Sequence, residues 1–145
     1  MHLERNRKDF IESDITKSEI DIITLNKENK IENAIELKYP KKSNGKVPEE
    51  MFSFIMDLKF LEELKEFSIN SNYFLAITDN HLFWKGDKKD GIYKYFRKSH
   101  FLDANEEIIK PAGVKSKSIA LKNNYRIEWK NIESTDYKYL LIEIK

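Results

Sequence analysis

The chain contains no cysteine. That removes disulfides, zinc–thiolate centres and a thiol nucleophile, and it accords with a reducing, cytoplasmic setting. The three histidines, His2, His81 and His100, share no ligand spacing, so no metal is assigned to them. Charge of one sign is also lacking: 26 Lys and Arg stand against 25 Asp and Glu, a formal net of +1. No global attraction to nucleic acid follows, and any such role has to rest on local patches. No apolar run approaches a membrane span and the N-terminus carries no signal-peptide pattern, so no membrane partner is expected. A Gly-rich phosphate loop and a nucleophile elbow are absent too.

What is present is the material of a core. Forty per cent of the 145 residues are hydrophobic, including seven Tyr and nine Phe, enough for one domain spanning residues 1–145. The most informative stretch is Ser18-Glu19-Ile20-Asp21-Ile22-Ile23-Thr24-Leu25, answered by Ala34-Ile35-Glu36-Leu37-Lys38-Tyr39. Both arms alternate with period two, and the polar link Asn26-Lys27-Glu28-Asn29-Lys30 holds two asparagines that tolerate the positive φ of a tight turn. A hairpin centred on Glu28-Asn29 pairs Leu25 with Glu32, Ile23 with Ala34 and Asp21 with Glu36, and it sets Glu19 against Lys38. Asp21, Glu36 and Lys38 then share one face.

Two carboxylates directly opposite each other repel, and a divalent cation would relieve them. Hard oxygen ligands suit Mg²⁺, commonly held by one or two carboxylates, water and a substrate phosphate. The alternative is a solvated sheet face with ordinary ion pairs, Glu19 with Lys38 and Asp21 near Lys27 or Lys30.

Asp21 followed by Glu36-x-Lys38, flanked by apolar strand residues, resembles the core motif of the PD-(D/E)xK nuclease superfamily, whose fold is restriction-endonuclease-like. Ile20 stands where the family usually has proline. The order of elements is similar as well: a helix from Pro48, a strand at Tyr73–Thr78, and closing strands around Tyr125–Trp129 and Tyr139–Ile144. Family members open with an amphipathic helix that often carries a further glutamate. Here Met1–Phe10 is too short and polar for that helix and reads as the meander's first strand or a helix remnant, with Glu4 a candidate replacement carboxylate. The resemblance implies an α/β fold with a mixed central sheet, one main packing helix and a C-terminal β extension. It implies Mg²⁺ (or Mn²⁺) held by Asp21, Glu36 and the Leu37 carbonyl, and Lys38 orienting the attacking water or stabilising the transition state. Glu4, Glu19 and Asp57 are auxiliary candidates.

The loop Pro40–Lys46 follows the E-x-K strand and offers Lys41, Lys42 and Lys46 to substrate phosphates, unless it is a solvated linker. Pro48 suits a helix's first turn, with Glu49 and Glu50 favourable to its dipole. Met51, Phe54, Ile55, Leu58, Leu61 and Leu64 make an apolar stripe widened by Phe52, Met56 and Phe60, with Glu62, Glu63, Lys65 and Glu66 on the solvated side. Asp57 and Lys59 are read as solvent-exposed, with contact to metal-bound water as the alternative. The helix is expected to end at Asn70-Ser71-Asn72. Leu82-Phe83-Trp84 extends the sheet or covers its edge. Tyr93–Lys98 interleaves aromatics with bases, an amphipathic edge strand or a nucleic-acid contact through Arg97 and Lys98. The resulting reading is a metal-dependent nuclease, with DNA as substrate and a homodimer or partner subunit allowed for. The alternative is a catalytically inactive nuclease-like module that binds nucleic acid or a protein partner.

Overall fold

The computed structural model describes the backbone of residues 2–6, and residues 19–111, 113 and 117–145 apart from the Asn44 side chain. Strands β1 (His2–Asn6), β2 (Glu19–Leu25) and β3 (Ile31–Lys38) form an antiparallel meander, the latter two built on alternating apolar residues. Helix α1 (Val47–Leu64) then crosses over to β4 (Asn72–Thr78), which lies parallel to β3. A parallel neighbour requires such a crossover, because no short turn can join two strands running the same way.

After β4 come a 3₁₀ turn at His81–Phe83, a short helix α2 (Tyr93–Arg97), and five two-residue strands: β5 (Phe101–Leu102), β6 (Ile108–Ile109), β7 (Ser118–Ile119), β8 (Tyr125–Arg126) and β9 (Lys130–Asn131). The last strand, β10 (Lys138–Ile144), pairs antiparallel with β4 along its whole length. The main sheet has six strands in the order β1-β2-β3-β4-β10-β9, a mixed α/β architecture with one main helix. The C-terminal strand is therefore interior to the sheet, flanked by β4 and β9, where an extension was expected.

The hairpin turn explains its own sequence. Asn29 takes φ +59°, and the Asn26 side chain accepts the N–H groups of Glu28 and Lys30, both at 2.9 Å. Ile23 pairs with Ala34 as expected, but Leu25 meets Ile31 rather than Glu32. A bulge between Thr24 and Leu25 shifts the register, and Ile31 becomes buried as a result. The Glu32 carbonyl then accepts the Asn70 N–H at 2.9 Å.

Helix α1 starts as predicted, with proline in its first turn and Glu49 and Glu50 behind it. It ends at Leu64, six residues short of Asn70, where Lys65 closes it with 3.1 and 3.2 Å bonds to the carbonyls of Leu61 and Glu62. Its apolar stripe is buried as read, with Met56 half-buried. Asp57 and Glu62 depart from expectation: both are buried. Helix α1 lies between the sheet and the C-terminal segment, so a single solvent face does not describe it. Tyr93–Arg97 is helical rather than an edge strand because Tyr95 and Phe96 enter the core together, which period-two alternation forbids. Phe83 and Phe96 close on Phe54 of α1 at centroid distances of 5.3 and 6.1 Å.

The far face of the sheet bears a cross-strand row, Leu37, Leu75 and Leu141, of which Leu37 and Leu141 are 42% and 55% exposed. One polar side chain fastens the layers that carry the site. Asn72, fully buried, accepts the Ala34 N–H at 2.8 Å and donates to the Leu61 carbonyl at 3.0 Å. Asn72→Ala should cost about 2 kcal/mol in urea unfolding, because it orphans the buried Ala34 N–H and removes one of the two bonds to the Leu61 carbonyl.

Candidate active site

Asp21, Glu36 and Lys38 occupy neighbouring positions of β2 and β3 where the two strands part. The last paired rung between these strands is Ile22 with Ile35. One step further, Asp21 lies across from Glu36, and here the side chain takes over from the ladder: Asp21 Oδ2 accepts the Leu37 N–H at 2.9 Å. Asp21 is half-buried, whereas Glu36 is enclosed beneath α1 with no solvent exposure. Alternation puts Lys38 on the same face as Glu36, at the end of β3.

Lys38 does not pair with Glu19 as the hairpin geometry predicted. Its Nζ lies 3.3 Å from Asp57 Oδ2, with the two side chains 31% and 5% exposed. Asp57 thus belongs to the site, although a lone charged residue in a helix reads as solvated. The signal that could have found it is its place inside the apolar run Phe54-Ile55-Met56-Asp57-Leu58, a burial context that only a partner cation makes tolerable. Glu19 is exposed at the start of β2, opposite Asn6 of β1. Glu4 falls between Leu3 and Arg5, which pair with Ile22 and Ile20, so its register position faces Asp21; its side chain lies outside the described residues.

The surrounding loops hold the end of β3 in place. Thr78 Oγ1 donates to the Pro40 carbonyl at 2.6 Å, and the Tyr39 and Tyr137 hydroxyls meet at 3.0 Å. The bond to Tyr39 raises the Tyr137 pKa. Lys41, Lys42 and Lys46 are all exposed beyond it, in the loop whose turn ends at Gly45 with φ +66°. Lys98 is exposed, but Arg97 is committed elsewhere. Its Nε and Nη1 donate to the carbonyls of Leu82 and Lys88, both at 2.9 Å, and its guanidinium lies 4.1 Å from the Tyr93 ring. Gly86 permits this, since a Cβ there would come within 2.6 Å of the guanidinium.

Among the described residues, no group of three or more His, Asp or Glu side chains is arranged to hold a metal ion. Asp21 and Glu36 carry carboxylate oxygens, hard donors of the kind Mg²⁺ accepts when water and a substrate phosphate complete its shell. No helix among the described residues is long and apolar enough to cross a membrane. The fold and site define a mixed α/β domain with an acidic pair and a lysine at one strand end. No protein-family model matches the chain, and no curated protein or solved structure matches it either.

Proposed function

We propose that the protein is a metal-dependent nuclease that hydrolyses phosphodiester bonds in DNA, resembling the PD-(D/E)xK superfamily in its site. The observation that carries this reading is the convergence of Asp21, Glu36 and Lys38 at the end of β3, with Lys38 held by the buried Asp57. Asp21 as the outer ligand and Glu36 as the inner one would hold Mg²⁺ or Mn²⁺. The Leu37 N–H faces Asp21, and in an extended strand the carbonyl of the same residue points the same way, so Leu37 can offer its oxygen there. A bound divalent ion supplies charge neutralisation at the phosphoryl oxygens and a more acidic water.

The chain's own groups do the rest. The Lys38 ammonium, fixed by Asp57, is placed to hold the attacking water or meet the developing negative charge. Fixing it beforehand removes the cost of reorganising it during the reaction. Lys41, Lys42 and Lys46 provide cations for the phosphates on either side.

Wild-type protein is expected to cleave DNA with Mg²⁺ or Mn²⁺ and to lose that cleavage in EDTA and in Asp21→Ala. It should also gain thermal stability on metal addition, by about 2.7 kcal/mol at a hundredfold excess over Kd. Folded protein that neither cleaves nor responds to metal would sink this reading. It would leave the second one, an inactive nuclease-like module that binds nucleic acid or a partner protein. The enclosure of Glu36 favours that second reading.

A further inference from the structure

We infer that a second site, a cavity of about 470 Å³ walled by Trp84 and Trp129, binds one unstacked nucleotide of a single strand. The base would lie against the indoles, with its phosphate on Arg126 and Lys138. This deepens the nuclease reading, on which it rests, by assigning the form of the substrate. The volume falls within the roughly 300–1,000 Å³ of small-ligand pockets, room for a nucleotide but not for a duplex.

The wall is rigid and aromatic. The two indoles are 5.4 Å apart between ring centroids and tilted by 51°, and Trp129 backs onto Phe83 and Phe54 at 5.9 and 6.5 Å. Nucleobases stack on such surfaces whatever their sequence. Arg126 and Lys138 outnumber Glu128 around the cavity, which favours an anionic occupant over an organic cation. Lys138 Nζ lies over the Trp84 ring, 5.0 Å from its centroid, so a base stacking on that face takes its place and the ammonium turns to the phosphate.

The cavity also sits within reach of the candidate active site. Lys38 is opposite Ala76 on one side of β4, and Lys138 is opposite Thr78 on the other. Both therefore share one sheet face. Two strand spacings across and two residues along put their Cα atoms about 12 Å apart. That span suits neighbouring nucleotides of one strand.

The chain's only two tryptophans both wall this cavity, so intrinsic fluorescence reports on it directly. Hexathymidylate titrated into the full chain in EDTA should quench the fluorescence saturably. The same thymidylate run paired within a hairpin that a GC-rich stem holds closed should bind at least about tenfold more weakly, because its bases are already stacked and paired, and inorganic phosphate alone should not quench. Arg126→Ala and Lys138→Ala should each weaken binding about tenfold and lower its salt dependence. Arg126 is exposed, so its replacement leaves the fold intact even if loss of the Lys138–Trp84 contact does not. Absence of saturable quenching, equal affinity for duplex, or quenching unaffected by Arg126→Ala would overturn the proposal. Because EDTA removes metal chemistry, binding without any cleavage in Mg²⁺ overturns only the nuclease reading. Cleavage without quenching overturns only the pocket.

Discussion

Lys38→Met is expected to abolish metal-dependent cleavage and, separately, to lower stability by about 2 kcal/mol, since it removes the cation facing a buried carboxylate. Read as an exposed lysine on a sheet face, Lys38 would cost only about half a kcal/mol on removal. The 3.3 Å contact to Asp57, itself 4% exposed, is what changes the figure. The two effects separate in a small series. Asp57→Asn keeps the ammonium and much of the shape, so folding should suffer less than in Lys38→Met, while cleavage falls because Lys38 is no longer pinned. The double variant Lys38→Met/Asp57→Leu should recover most of the lost stability and none of the cleavage, as replacing a buried pair with apolar groups is often neutral. Cleavage rates and urea unfolding curves of the same preparations are the measurement. Wild-type cleavage by Lys38→Met would refute its assigned role.

Glu62→Ala should destabilise the protein by about 3 kcal/mol in chemical denaturation, because it strands several donors to a charged acceptor. The Glu62 carboxylate accepts the backbone N–H groups of Lys122 and Asn123 and the Asn123 side-chain amide at 2.9 Å, and the Tyr125 hydroxyl at 3.0 Å. It therefore fastens the C-terminal segment to the helix. A pH dependence follows. Burial first, then the negative charge of Glu62, push the Tyr125 phenol well above its ordinary value of 10.0. A folded-state pKa that is raised contributes stability that is complete below the unfolded value and lost as pH climbs toward the folded one. Stability should therefore fall above pH 10, and Tyr125→Phe should flatten that limb by up to about 1.4 kcal/mol per pH unit. An alkaline limb identical in wild type and Tyr125→Phe would show that the phenol does not titrate there.

Much of the site was legible because period-two alternation and asparagine turn chemistry are local. Ile23 against Ala34 and the positive φ of Asn29 both follow from spacing alone. The bulge at Thr24/Leu25 was not legible, since the Glu32 carbonyl serves Asn70, a contact made only after α1 has crossed the sheet. Tyr93–Arg97 misled for a related reason: interleaved aromatics and bases fit an edge strand, but the core beside Phe54 takes adjacent residues Tyr95 and Phe96.

The sequence by itself determined the β2–β3 hairpin with its asparagine turn, the start of helix α1 and its apolar stripe, and the strand at β4. Each depends on residues close together in the chain, whose backbone preferences and alternation need no distant partner. Tertiary structure decided which charges are buried. Helical periodicity allows α1 one apolar side, and Asp57 and Glu62 lie outside it. Yet the sheet brings Lys38 to Asp57, and the segment around Lys122–Tyr125 brings its donors to Glu62. Burial of a carboxylate depends on what the fold sets against it, and those partners lie 19 and about 60 residues away along the chain.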